Sequence, residues 1–470
     1  MASPTTSDTP TAAVRALRAT LRGRVLAPGD RGFEEAYTVW NGAVEARPAV
    51  VARCADEQDV VRAIEIARRH GLRPSVRAGG HDWAGRALRD GGLLIDLSAM
   101  RSVEVDLAGR TAWIGGGTKA GDLIERTRAF GLAPVTGTVK AVGMAGLTLG
   151  GGYGLLAGEH GLALDSLVEA RVVLADGRAV TASGEELSDL FWALRGGGGN
   201  FGVVTALRHR LHPVSTVFAG LLLYPLDQAS AVLARYRELV TEAPDALTVM
   251  AGFFCGPEGR PLLFLLPVCC GSPELGRTVM DLFDGIGKPV VGQVLPTEYA
   301  SVLSTFDQVV VDGRHNEVGT RWLEGPSEET SELLIDAAAR ITSPYSGIFV
   351  HQFHGAASRV PVADTAFALR RDHLLVEVAA TWEPTDTRPG DTGEKHRRWA
   401  RELEQQLDPY ALPGGYPNLL GPHEHRRTLD GFGPHVGRLL AIKERYDPDH
   451  VFSAVAALEP TALNPGEGSP

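Results

Sequence analysis

The chain has 470 residues, 44% of them hydrophobic and 22% charged, with 46 basic against 57 acidic side chains and a formal net charge of −11. That length exceeds one ordinary core, that composition excludes a disordered chain, and that charge gives no support to a nucleic-acid binder. Four cysteines (Cys54, Cys255, Cys269 and Cys270) make no disulfide framework at this size. The N-terminus lacks an apolar signal core and no run reaches the ~18 apolar residues of a membrane helix, so the expected location is the cytoplasm.

In chain order, residues 1–12 are polar and read as a disordered tail, as do 461–470. "PAVVARC" reads as a strand and "DEQDVVRAIEIARRHG" as a helix stopped by Gly71. "LRPSV" is a strand that runs into "RAGGHDWAG", Arg77–Gly85, where a histidine sits between a glycine pair and Asp–Trp. "GGLLIDLSAM" and "TAWIGGG" contain strands and "KAGDLIERTRAFG" a helix. Gly137–Gly154, "GTVKAVGMAGLTLGGGYG", interleaves small and apolar residues, which implies buried backbone lying close to a long ligand. "LVEARVVLADGRAVTAS" is a hairpin turning at Asp176–Gly177, followed by a helix ("GEELSDLFWALRG") and a strand ("FGVVTALRHRLHP"). After Pro213 the glycine clusters fade and strands alternate with longer helices, which predicts one mixed sheet backed by helices on one side. "LPGGYPN" at Leu412–Asn418 breaks that pattern before a last helix, "GRLLAIKERYD".

Several motifs are weak on their own. "GGGNFG", Gly197–Gly202, satisfies G-x-G-x-x-G, but a helix precedes it and a strand follows, the reverse of a dinucleotide fingerprint. No G-x-S-x-G occurs, so a nucleophile-elbow hydrolase has no support. His351 and His354 have metal-like spacing, yet on a strand their rings point to opposite faces, and no metal is expected.

Ordered together, these stretches resemble the FAD-linked oxidases of the vanillyl-alcohol oxidase (PCMH-type) superfamily, berberine-bridge-enzyme-like branch. The resemblance rests on "WNGAVEARPAVVARCADEQDV", "VRAGGHDWAG", "GGLLIDLSAM", "IGGGTKAGDL", "GMAGLTLGGGYG", "GLALDSLVEARVVLADG", "DLFWALRGGGGNFGVVT", "YPNLLG" and "LLAIKERYDPDHVF", and spans nearly the whole chain. It implies an α+β fold: an FAD-binding domain over about residues 15–212, a substrate domain over 213–414 with a mixed or antiparallel sheet, and a segment over 415–460 completing the first.

The resemblance also implies a site. His81 would carry FAD through a covalent bond to the flavin 8α-methyl. Where many relatives have a second, cysteinyl link this chain has Val139, so a single bond is expected, in the manner of 6-hydroxy-D-nicotine oxidase. Cofactor contacts are expected from Arg77, Ala78, Gly79, Gly80, Asp82, Trp83 and Gly85. A second group is Gly137, Thr138, Val139, Val142, Gly143, Gly146, Leu147, Gly150, Gly151, Gly152, Tyr153 and Gly154, and a third is Gly198, Gly199, Asn200, Phe201, Gly202 and Val203. Tyr153 either packs or touches flavin or substrate. Tyr416 of "YPN", with Asn418 beside it, is the candidate base or else packs at a domain crossing; both also count as cofactor contacts. Gln352 and His354, sharing a strand face, and Glu377, interrupting an apolar strand, are further candidates. Where relatives carry a polar string after "DPDHVF", this chain has the more apolar Ser453–Leu458. The implied activity is hydride transfer from an alcohol or amine carbon of a small or mid-sized organic substrate to FAD, with dioxygen as acceptor. The alternatives are a flavin oxygenase that uses a flavin N5–oxygen species, and a flavin-binding protein without turnover. No nucleic-acid or membrane partner is expected.

Overall fold

A computed structural model describes residues 9–384, 393–453 and 458. The first sheet contains β1 (Arg24–Leu26), β2 (Val50–Arg53), β3 (Pro74–Arg77) and β4 (Leu93–Asp96) in the order β1-β2-β4-β3, with β2 and β3 both parallel to β4. The helix Glu57–Arg69 covers it. Asp56 caps that helix by accepting from the Asp59 N–H, and Val60, Ala63, Ile64 and Ala67 form the buried stripe at helical spacing. The expected tail is helical from its ninth residue. A helix at Thr9–Thr20 buries Ala13 and Leu17, one helical turn apart, in the same core. Residues 1–8 and 459–470 lie outside the described residues.

The second sheet contains β5 (Val103–Asp106), β6 (Thr111–Gly115), β7 (Ala133–Pro134), β8 (Leu167–Val173), β9 (Ala179–Ser183) and β10 (Val203–His212), in the order β5-β6-β10-β8-β9 with β7 against β10. β8 and β9 form the hairpin expected around Asp176–Gly177, and Gly177 takes φ +87 there. The glycine-rich stretch contributes a helix, Met144–Gly150, with Met144 and Thr148 one turn apart on its buried side.

The third sheet contains β11 (Thr216–Ala219), β12 (Leu222–Pro225), β13 (Leu247–Cys255), β14 (Pro261–Cys269), β15 (Leu295–Glu298), β16 (His315–Leu323), β17 (Gly347–Phe353) and β18 (His373–Trp382). Its order is β15-β11-β14-β13-β17-β18-β16, with β12 against β14, and every pairing is antiparallel. Helices Ala229–Thr241, Glu328–Ala339 and Glu394–Leu407 cover one face through Leu233, Leu334, Trp399 and Leu403, which pack on Val249, Val376 and Val378. The opposite face of β17 and β18 turns toward the glycine-rich loops. Alternation along the strands decides which side chains point there. Among the described residues no helix is long and apolar enough to cross a membrane.

Candidate active site

Three backbone stretches converge on a cavity of about 350 Å3: 76–82 after β3, 137–147 through the start of the helix Met144–Gly150, and 198–204 leading into β10. Two of them touch backbone to backbone. A Cβ added to Gly79 would stand 2.3 Å from the Gly143 nitrogen, and one added to Gly143 would stand 2.4 Å from the Gly79 nitrogen, so neither position tolerates a side chain. Gly146 is different. It lines the cavity, and an added Cβ there would meet no protein atom within 4 Å. That free space beside the helix, next to the tight Gly79–Gly143 approach, has the form of a cradle for a flat, elongated ligand.

His81 stands in the cavity wall, with its ring stacked on Trp40 at 4.4 Å between centroids and 9° between planes. Its Nε2 is buried and without a hydrogen-bond partner. Burial pushes the imidazole pKa down to about 4, so the ring is neutral at neutral pH and keeps a free lone pair.

The opposite wall comes from β17, β18 and the "YPN" segment. His351, Leu375 and Glu377 face the cavity, and His351 Nε2 lies 3.3 Å from Glu377 Oε2. In the β17–β18 register Phe349 opposes Glu377 and His351 opposes Leu375, which makes the two polar residues diagonal neighbours on one face. Tyr416 is buried beside them. Its Oη accepts from the Gly152 N–H at 2.9 Å and from Asn418 Nδ2 at 3.0 Å, and Asn418 also donates to the Leu147 carbonyl at 3.2 Å. Burial holds the phenol pKa up at about 12, so Tyr416 is a neutral hydroxyl whose own proton remains to be donated. Tyr153 packs against it at a tilt, with ring centroids 4.8 Å apart and planes 60° apart. His373 Nδ1 donates to the Arg371 carbonyl at 2.7 Å, which leaves Nε2 as the acceptor for the Tyr153 hydroxyl at 2.7 Å. Burial keeps His373 neutral, with its pKa lowered to about 3.

Most of the expected residues meet here. The cavity is lined by Ala78–Asp82, Gly137, Thr138, Val139, Val142, Gly143, Gly146, Leu147, Tyr153, Gly198, Gly199, Gly202, Val203, Glu377, Tyr416 and Asn418. Others are elsewhere. The Arg77 guanidinium turns away to Asp96 and to the Ala36 and Thr38 carbonyls. Trp83 Nε1 donates to the Leu419 carbonyl and Gly85 packs under Val44. Gly150 and Gly151 make room for Asn418 and Tyr416, Gly152 supplies the N–H to Tyr416, and a Cβ at Gly154 would meet the Thr136 carbonyl. Asn200 bonds back to the Gly197 carbonyl, and Phe201 fills the second sheet's core. Gln352 and His354 both lie outside the cavity lining: Gln352 is on the helix-covered face of β17, and His354 stands one residue beyond that strand's end, beside Gly158. Gln352 Oε1 accepts from the Val249 N–H, and His354 lies against Thr248. Arg86, Arg89, His351, Phe452 and Ser453 also line the cavity without having been expected to. Of the Ser453–Leu458 string, residues 454–457 lie outside the described residues.

Comparison with known proteins agrees with this geometry. A family model described as an FAD binding domain matches residues 48–206, the span that carries His81 and the Gly137–Gly154 stretch. The (R)-6-hydroxynicotine oxidase of Paenarthrobacter nicotinovorans is 32% identical, over 92% of this chain and 95% of its own. The chain belongs to the FAD-linked oxidoreductases of the vanillyl-alcohol oxidase (PCMH-type) superfamily. The crystal structure of 6-hydroxy-D-nicotine oxidase from Arthrobacter nicotinovorans superposes on this FAD-linked oxidoreductase with a TM-score of 0.84 at 29% identity, covering 94% of this chain and 98% of that one. A berberine bridge enzyme variant shares the fold, with a TM-score of 0.83 at 21% identity, covering 96% and 98%.

Proposed function

We propose that this oxidoreductase is an oxidase. It takes a hydride from a CH–OH or amine carbon of a small or mid-sized organic substrate, returns the electrons to dioxygen as hydrogen peroxide, and holds FAD through a single covalent bond to His81. The observation that carries the reading is the pairing of two walls. A neutral imidazole and a glycine-lined cradle stand on one side, and a hydroxyl donor with an acid–base pair stands on the other. The match to a protein named an oxidase across almost its whole length supports the choice of reaction. Val139 lines the cavity, and none of the four cysteines does, which supports one bond and not two.

The cofactor, when bound, supplies a two-electron acceptor for hydride. The protein's part is to place the donor carbon and to handle the proton. Tyr416, held by Gly152 and Asn418, donates its hydroxyl to the oxygen of an alcohol substrate. Glu377 and His351 take up the proton an alcohol loses as its hydride departs. A neutral amine needs no such transfer, because its lone pair assists hydride loss. Leu375 and Leu419 keep the same space dry.

A peroxide-coupled screen of alcohols and amines on the purified protein tests this. The expected result is one peroxide per substrate oxidised, lost in Glu377→Gln for alcohols. Flavin reduction without peroxide would overturn the oxidase assignment.

A further inference from the structure

The segment Trp40–Gly42 joins the His81 loop to the third sheet. The Trp40 N–H donates to the Gly80 carbonyl at 2.9 Å, next to the ring stack on His81. The Trp40 carbonyl accepts from the Gly313 N–H at 3.0 Å, and the Gly42 N–H donates to the Arg314 carbonyl at 2.8 Å. Between them, the Asn41 side chain is 4% exposed and uses all four of its hydrogen-bonding positions. Nδ2 donates to the carbonyls of Trp83 (2.5 Å) and Asn316 (2.8 Å). Oδ1 accepts from the N–H groups of Asn316 (2.8 Å) and Ala43 (3.0 Å). Asn316 lies in β16, so one amide ties the loop after His81 to the substrate-side sheet. The approach is close, since a Cβ on Gly42 would stand 2.1 Å from the Gly313 carbonyl oxygen.

We infer that Trp40 and Asn41 are positioning residues for the attachment of flavin at His81, and that they make attachment depend on the third sheet being docked. This rests on the tether proposed above. In the attachment one imidazole N–H and one methyl C–H are replaced by a C–N bond, and the two hydrogens and two electrons leave on dioxygen as hydrogen peroxide. The step needs the imidazole lone pair directed at the methyl carbon. No hydrogen bond at Nε2 holds that direction. The indole stack does, and the stack is held in turn by the Asn41 clasp.

The test compares full-length wild type with Trp40→Phe, Trp40→Leu, Trp40→Ala and Asn41→Leu. Total bound FAD is read first, and then the fraction that stays with the polypeptide after acid precipitation, over a time course with added FAD. Wild type and Trp40→Phe, which keeps a ring on His81, are expected to hold their flavin. Trp40→Leu, Trp40→Ala and Asn41→Leu are expected to bind FAD and to attach it at least about tenfold more slowly. A merely structural role would lower bound FAD and attachment together and would give Trp40→Phe no advantage over Trp40→Leu, and that result overturns the inference. Trp40→Leu fills the space without stacking, so it decides the matter where Trp40→Ala fails to fold. Attachment at the wild-type rate in Trp40→Leu and Asn41→Leu would overturn this inference alone. A wild type that releases its flavin would overturn the tether as well.

Discussion

Lys443→Met isolates the join between the C-terminal helix and the cavity. The Lys443 ammonium is 2% exposed and donates to the carbonyls of Asn200 (2.7 Å) and Phe452 (2.5 Å) and to the Asp447 carboxylate. Asp447 is itself fully buried and also accepts from the Val451 and Phe452 N–H groups, both at 2.9 Å. Methionine fills a similar space but leaves a buried carboxylate and two carbonyls without their cation. Breaking a buried pair in this way costs about 3–5 kcal/mol. The loss falls on two segments that both reach the cavity, the glycine-rich 197–203 and the chain around Phe452 and Ser453. At about 1.4 kcal/mol per tenfold, local opening there rises by roughly two to three and a half orders of magnitude. Hydrogen exchange read by mass spectrometry is the assay. The Gly197, Gly198, Val451 and Phe452 amides should exchange at least about a hundredfold faster, while β13–β18 keep wild-type protection. Unchanged protection in 197–203 would refute the argument that this ammonium holds the loop.

Three further outcomes follow from the same geometry. Gly146→Val should fold normally, because a Cβ there meets nothing, and should fail to retain FAD; a variant with full flavin content would remove this face from the cofactor site. Tyr416→Phe should keep its flavin and lose about a hundredfold in turnover, since the donated hydroxyl is gone and Gly152 and Asn418 lose their acceptor; unchanged turnover would make Tyr416 a packing residue. Buried His209 and His373 have pKa values pushed down to about 4 and about 3, so between pH 6.5 and those values the unfolded chain binds protons that the folded chain does not. Stability is therefore present above about pH 6.5 and falls with acidification, by about 2 kcal/mol for each of the two by pH 5; equal denaturation midpoints at pH 7 and pH 5 would contradict this.

The sequence shows the glycine-lined wall of the cavity more fully than the wall built from β17 and β18, for a physical reason. Gly79, Gly80 and His81, and Gly143 and Gly146, are local signals, since a backbone that lies close to a ligand or to itself must omit side chains wherever it does so. Strand alternation cannot say which face the helices cover, and they cover the face that carries Gln352; His354 lies one residue past the end of β17, where alternation no longer applies. His351 faces the cavity beside Glu377 only because β17 pairs with β18 in one register, a relation across 26 residues that neither strand displays alone. Strands alternating with helices leave a mixed or an antiparallel sheet open, and the described pairings of the third sheet are all antiparallel. Arg77, next to the glycine pair, has a cation suited to phosphate; buried Asp96, fixed at the end of β4, claims it instead. The Asn41 clasp spans 275 residues and has no local signature at all.

The central claim is that FAD occupies this cavity and is bonded to His81. The most direct measurement is acid precipitation of the purified wild type and of His81→Ala, followed by the absorbance and fluorescence of the pellet and the supernatant. The account predicts flavin in the wild-type pellet and, for His81→Ala, flavin bound before acid and free after it. Flavin released from both would contradict the tether, and a wild type purified with no flavin that also takes up none from added FAD would contradict the site.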